Sequence, residues 1–153
     1  MYNTAEAAFQ AAKVSNPITR YSLGLHTCET GAEARKLGRK VKLRPDWEQI
    51  KFKVMKDVLV SKFSLAETRN LLLATEGAYL EEGNSHNDCI WGVVKGKGSN
   101  MLGILLMEVR SEIQSGVHPE LSREEVSDIR RNAKWKYDTN YIRRANFGKN
   151  SRT

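Results

Sequence analysis

The stretch Tyr2-Asn3-Thr4-Ala5-Glu6-Ala7-Ala8-Phe9-Gln10-Ala11-Ala12-Lys13 sets the fold class. Ala5, Ala8, Phe9 and Ala12 recur at i, i+3, i+4 and i+7, which is the apolar stripe of an amphipathic helix. Ahead of that stripe, Asn3-Thr4-Ala5-Glu6 reads as a capping box. Its first side chain accepts from backbone N–H groups of the opening turn, and the Glu reaches back. The same signature recurs at Thr30-Gly31-Ala32-Glu33, Ser64-Leu65-Ala66-Glu67 and Ser122-Arg123-Glu124-Glu125. Repeated helix starts of this kind predict a mainly α protein.

Two longer helices complete the pattern. Pro45 suits the first turn of a helix near 46 to 62, where its missing N–H costs nothing. Trp47, Ile50, Val54 and Val58 occupy one face of that helix and Phe52, Met55 and Leu59 another, so it should touch several neighbours. A helix from about 101 to 115 is apolar nearly all round at its start and is expected to be central. Residues 76–100 lack helical periodicity and leave room for a short extended element at most. A loop this long inside a compact domain is often functional. The expected architecture is one orthogonal helical bundle over 1–115, followed by a basic helical extension over 116–153.

Length and composition agree with this. The chain has 153 residues, of which 40% are hydrophobic, enough for one core. Its longest apolar run, Met101 to Met107, is too short to span a membrane. The first residues lack the basic and apolar regions of a secretory signal. Cys28 and Cys89 form no CxxC pair, which disfavours a zinc cluster or disulfide scaffold and fits a reducing cytoplasm. His26, His86 and His118 fall in no HxxxH or HExxH pattern, so no metal is expected. No cofactor is implied.

The net charge is +7 and it is unevenly placed. Residues 1–129 balance to zero. Residues 130–153 carry Arg130, Arg131, Lys134, Lys136, Arg143, Arg144, Lys149 and Arg152 against Asp138 alone, interleaved with Trp135, Tyr137, Tyr141 and Phe147. Cations can track a phosphate backbone while aromatics stack on bases, so Arg130, Arg131, Lys134, Trp135, Lys136, Arg143 and Arg144 are candidate nucleic-acid contacts. The alternative is that the aromatics pack onto the domain and the cations are merely solvated. A second run, Arg35-Lys36-Leu37-Gly38-Arg39-Lys40-Val41-Lys42-Leu43-Arg44, has six cations and no acid. Such a run favours anionic partners, or else is a solvated helix face.

Two features of the 76–100 loop could carry chemistry. Lys95-Gly96-Lys97-Gly98-Ser99-Asn100 runs straight into the Met101 helix. With Asn100 as N-cap, the helix N–H groups and Gly96, Lys97 and Gly98 could hold a phosphate. The spacing matches neither a Rossmann fingerprint nor a Walker A loop, and a plain loop explains it as well. Asp88 lies three residues before Trp91. A carboxylate beside an indole could stabilise a cationic sugar while the indole stacks on a base; an Asx turn next to a core tryptophan is the competing reading. Glu6 is likewise explained by a capping box alone.

Taken in order, these pieces resemble the NADAR, or YbiA-like, family over roughly residues 2 to 115. Tyr2 to Lys13 matches the family's y-x-S/T-x-E-h-x-F-Q-x-x-K helix. Ala34-Arg35-Lys36-Leu37-Gly38-Arg39, Trp47, Val54-Met55, Lys62-Phe63, Leu71-Leu72-Leu73-Ala74-Thr75 and Leu80-Glu81-Glu82 follow in order. Asn87-Asp88-Cys89-Ile90-Trp91-Gly92 and Gly96 to Arg110 close it. Family members carry a further segment with a Ser-Asn-Phe element ahead of the Glu6 helix. Its absence from this sequence reads either as a late start or as loss of part of the pocket.

The resemblance implies a mainly helical domain that hydrolyses N-glycosidic bonds. The implied substrates are ribosylaminopyrimidine phosphates of riboflavin synthesis, or ADP-ribose attached to guanine in nucleic acid. It places the functional positions on Glu6, Trp47, Asp88 and Trp91. Breaking a C–N glycosidic bond passes through an oxocarbenium-like state that wants a carboxylate near the anomeric carbon and a positioned water. Glu6 is then the water-activating base and Asp88 the partner for ribose or charge, roles that could be swapped. Trp47 and Trp91 would wall the pocket and stack on the base. The rival reading is an inactive module that binds ADP-ribose, NAD or nucleic acid without turnover.

Overall fold

The computed structural model describes residues 2–125. Those residues form one mainly helical unit: α1 (Ala5–Ala12), α2 (Pro17–Ser22), a 3-10 turn (Leu25–Thr27), α3 (Gly31–Gly38), α4 (Trp47–Lys62), α5 (Ala66–Leu73) and α6 (Met101–Gln114). Extended pairing among them amounts to isolated bridges, Leu65 with Leu121, Gly83 with Val93 and Val94 with Lys97. No helix among the described residues is long and apolar enough to cross a membrane.

Three patches of core hold the helices together. Leu59, Val60 and Phe63 of α4 pack with Leu72 of α5 and Leu105, Val109 and Ile113 of α6. Ala7 and Ala11 of α1 pack with Leu25, Cys28 and Ala34. Phe9 and Ala12 of α1 meet Trp47 and Val54 of α4, with Trp91 laid against them. The wide apolar surface expected of α4 is therefore divided, its N-terminal half serving α1 and its C-terminal half α5 and α6. α6 is central, as expected, but it is buried on one side only. Leu105, Val109 and Ile113 face inward, but Ile104 is 44% exposed.

The stripe on α1 also differs from its expected form. Phe9 and Ala12 are buried, whereas Ala5 and Ala8 are only partly so, and Ala7 and Ala11 lie fully inside. The cause is a second neighbour. α3 presents Gly31, Ala34 and Gly38 to α1, and a Cβ built on Gly38 would fall 2.0 Å from Gln10 Oε1. Only glycine lets the two helices approach this closely. Alanine is small enough to serve either face, so its spacing could not say that α1 is covered on two sides.

The capping boxes divide evenly. Thr30 with Glu33 and Ser122 with Glu125 form the reciprocal bonds. At Ser64 the hydroxyl instead donates back to the Ser61 carbonyl, and the α5 N-cap is Leu65, without a side-chain bond. At α1 the cap is Thr4, whose hydroxyl accepts from Ala7 N at 3.0 Å. Pro45 lies in the turn just ahead of α4, not in its first helical turn.

Candidate active site

The shift of the cap from Asn3 to Thr4 changes what Glu6 does. One position off the box, its side chain does not reach back to the backbone. Glu6 Oε1 accepts from Gln10 Nε2 at 2.6 Å, and Oε2 lies 3.5 Å from Arg35 Nη1 of α3. Gly31 opens α3 against it, with space for a Cβ only 3.3 Å from Glu6 Cβ. The carboxylate stays 24% exposed while Gln10 beneath it is buried. The capping explanation of Glu6 is thus corrected: Thr4 does that work, and Glu6 is an oriented, accessible carboxylate.

Lys13 continues the same helical face, since Glu6, Gln10 and Lys13 stand at i, i+4 and i+7. Its ammonium lies 5.8 Å from the Phe9 ring centre and 5.9 Å from that of Trp47. Burial pushes the Lys13 ammonium below the usual lysine range, and the Glu6 charge pulls it part of the way back. An amine so placed changes protonation state more readily than a solvated one.

Phe9 carries the row to the loop. Its ring meets Trp47 at 5.1 Å and Trp91 edge-on at 5.3 Å, and Phe52 meets Trp91 at 5.2 Å. Trp91 is only partly buried, whereas Trp47 is 5% exposed. Trp47 therefore supports the cluster from within the core, while Trp91 retains accessible ring.

Asp88 reaches this cluster through Trp91. Its Oδ1 accepts from Ile90 N at 3.1 Å and Trp91 N at 2.8 Å, an Asx turn that fixes where Trp91 enters. Among the described residues Oδ2 takes no hydrogen bond. Asn84 holds the loop from the other side, accepting from Asp88 N and donating to the Asp88 carbonyl at 2.8 Å. The Asx turn and the functional reading are compatible, because they use different oxygens.

The segment expected to hold phosphate, Gly96, Lys97, Gly98 and Asn100, is folded into a tight turn and tied onto the start of α6. Val94 and Lys97 exchange both backbone bonds around Lys95 and Gly96, whose φ values are +49° and +77°, which makes a type I′ turn. Gly98 lies on Gly92, where a Cβ would fall 2.2 Å from the Gly92 carbonyl. Met101 N and Leu102 N at the start of α6 donate to the carbonyls of Ile90 and Trp91. Asn100 is 2% exposed and stands at the N-cap position of α6, but its side chain makes no capping bond; it accepts from Glu82 N and donates to Tyr79 Oη and the Leu80 carbonyl. The glycines and Asn100 fasten the loop to α6, and Lys97 N, Ser99 N, Asn100 N, Met101 N and Leu102 N all donate to backbone carbonyls.

Gln10, Lys13, Arg35 and Phe52 gather at the site without having been given a role from sequence. The signal for the first two was present, as polar positions on the Glu6 face of α1. Arg35 could only be placed by the α1–α3 contact. The candidate nucleic-acid contacts Arg130, Arg131, Lys134, Trp135, Lys136, Arg143 and Arg144 lie outside the described residues. Among the described residues no group of three or more His, Cys, Asp or Glu side chains could hold a metal.

The sequence that builds this helical domain has a family: residues 1–114 match the NADAR domain, and the chain belongs to that family. It is 40% identical over 114 residues to the N-glycosidase YbiA of Escherichia coli (strain K12), covering 72% of this chain and 69% of that protein. It is 38% identical over 122 residues to the chloroplastic riboflavin biosynthesis protein PYRR of Zea mays, of which it spans 19%. The NMR structure of E. coli YbiA superposes with a TM-score of 0.65 at 38% identity, covering 76% of this chain and 70% of that one.

Proposed function

We propose that this protein is an N-glycosidase that hydrolyses the C–N bond between a ribose and its base. The observation that carries the reading is the state of Glu6, released from capping, oriented by Gln10 and Arg35, and set one helical turn from the aromatic cluster. The name of the relative YbiA supplies the reaction class, and that of PYRR a riboflavin-pathway substrate. In this reading a water attacks the anomeric carbon and Glu6 takes its proton. The C–N bond breaks, its electron pair goes to the leaving base, and Lys13 is the cation placed to protonate or neutralise that base. Asp88, through the oxygen not used in its turn, faces the ribose or its developing positive charge. Trp91 offers the base a face.

The substrate is an ADP-ribosyl-guanine in nucleic acid or a ribosylaminopyrimidine phosphate. The test is to incubate the full chain with each and follow release of the sugar. Turnover of either supports the enzyme. Tight binding of both without release would assign a binding module instead.

A further inference from the structure

We propose that the basic extension, residues 130–153, binds back onto its own domain. Its seat is an acidic, partly apolar strip that runs from Leu71 of α5 through Glu76, Tyr79 and Glu81 to Ile104 of α6. The extension lies outside the described residues, whereas the strip and the chain's approach to it are both described.

Charge and apolar surface both mark the strip. Between Arg69 and Lys95 the sequence has no lysine or arginine, its longest such stretch, and holds the acids Glu76, Glu81, Glu82 and Asp88. Among the described residues none of these makes an ion pair. By contrast, every acid of α4, α5 and α6 meets a cation: Glu48 has Lys51, Asp57 has Lys53, Glu67 has Arg123, and Glu108 and Glu112 share Lys56. Residues 130–153 have the opposite imbalance, with Asp138 their only acid, so the two segments attract. Along the same strip Leu71 is 72% and Tyr79 66% exposed, and Ile104 is exposed beside them. They are held firmly. Tyr79 Oη accepts from Asn100 Nδ2 at 3.0 Å, one turn of α6 from Ile104, and Arg110 donates to Thr75 Oγ1 at 2.6 Å and to the Ala78 carbonyl at 2.8 Å. Trp135, Tyr137, Tyr141 and Phe147 give the extension the apolar surface to cover them.

The fold leads the chain to this strip. After α6, Arg69 Nη2 donates to the His118 carbonyl at 2.8 Å, Leu121 N donates to the Ser64 carbonyl at 2.8 Å, and Arg123 bonds Glu67. Residues 118–123 are thereby fastened along the start of α5. Glu67 and Leu71 stand at i and i+4 on that helix, so the partner of Arg123 is one turn from Leu71. Arg130 comes seven residues after Arg123, a reach of up to about 23 Å in extended chain, whereas α5 is only about 12 Å long. The cations and aromatics of the extension therefore have the length to reach Glu76, Tyr79 and Glu81.

The experiment treats the full chain, dilute and at low salt, with a carbodiimide that joins a carboxylate directly to a lysine amine, and identifies the cross-linked peptides by mass. Lys134, Lys136 or Lys149 should be joined to Glu76 or Glu81, and the yield should fall at high salt. Limited trypsin cleavage at Arg130, Arg131, Lys134 and Lys136 should be about tenfold faster in L71S/E76Q/E81Q than in the parent. The melting curve should be unchanged, because all three replaced side chains are exposed. E29Q/E48Q, which removes exposed acids elsewhere, should cleave at the parent's rate. Cross-links to other carboxylates only, or equal cleavage in L71S/E76Q/E81Q and the parent, overturn the proposal. So do cross-links that form only as the protein is concentrated, which assign the strip to a second copy's extension. Protection from trypsin that needs an added thymidine oligonucleotide also overturns it and assigns the extension to nucleic acid.

Discussion

Thr4 and Glu6 divide the start of α1 between them, and their substitutions should separate accordingly. Thr4→Ala removes the bond to Ala7 N and is expected to cost about 1 kcal/mol of stability, with turnover retained at temperatures where the variant is folded. At Asp88 the two oxygens allow a finer cut. Asp88→Asn keeps an acceptor for Ile90 N and Trp91 N, so thermal stability should change little, while loss of the charge should lower kcat by about tenfold or more. Asp88→Ala should lower both. If Asp88→Asn keeps full turnover, the side chain serves the Asx turn alone. At this scale the sequence was a good guide to which residues matter and a poor one to why. Glu6 satisfies the capping-box spacing from Asn3 as well as any cap does. A one-residue shift of the helix start, set by Thr4 competing for the same role, is invisible in the pattern.

α1 and α3 form the pair on which the site depends, and Gly38 is where that pair can be tested. A Cβ there would press on the Gln10 amide at 2.0 Å. Gln10 is buried and already bonded to Glu6, so it cannot swing aside without moving the carboxylate. Gly38→Ala should cost about 1–3 kcal/mol, read as a lower melting temperature. It should also reduce turnover at temperatures where the variant is fully folded. Retained turnover in a folded Gly38→Ala would separate Glu6 from its helix pairing. Most of the helices were legible because periodicity and caps are local: Met101–Gln114 and Trp47–Lys62 fall close to the expected bounds, whereas the short α2, Pro17–Ser22, has too few turns to show a period and was not anticipated. Helix partners were not legible. Gly31, Ala34 and Gly38 sit inside a run dominated by cations, and small residues carry no hydrophobic signal to mark a packed face. The role of the loop from 76 to 100 was left open for a related reason. Glycine serves a phosphate cradle, a type I′ turn and a tight backbone contact equally well, and only the hydrogen bonds distinguish them.

Across the whole molecule, α4, α6 and the segment after α6 are tied by one ionic network, with Lys56 Nζ at 2.6 Å from both Glu108 and Glu112 and His118 Nε2 at 2.7 Å from Glu112. Partial burial alone would raise the Glu112 carboxyl, but the hydrogen bonds and charges of Lys56 and His118 outweigh it and hold the group below its ordinary 4.5. A carboxyl depressed on folding stabilises the protein above the unfolded value and loses that contribution as pH falls through the folded one. The melting temperature of Glu112→Gln should therefore lie below that of the parent near neutral pH and converge with it as the solution is acidified below pH 4.5. A gap that persists in acid would assign the loss to packing. The clustering of net charge in residues 130–153 was plain from composition. The central claim is that Glu6 acts in catalysis, and Glu6→Gln tests it most directly. With Thr4 as the cap and Gln still able to accept from Gln10, the account predicts stability within about 0.5 kcal/mol of the parent and N-glycoside turnover reduced by about 10²-fold or more. Turnover that survives the substitution, or that falls only in step with the melting temperature, would contradict it.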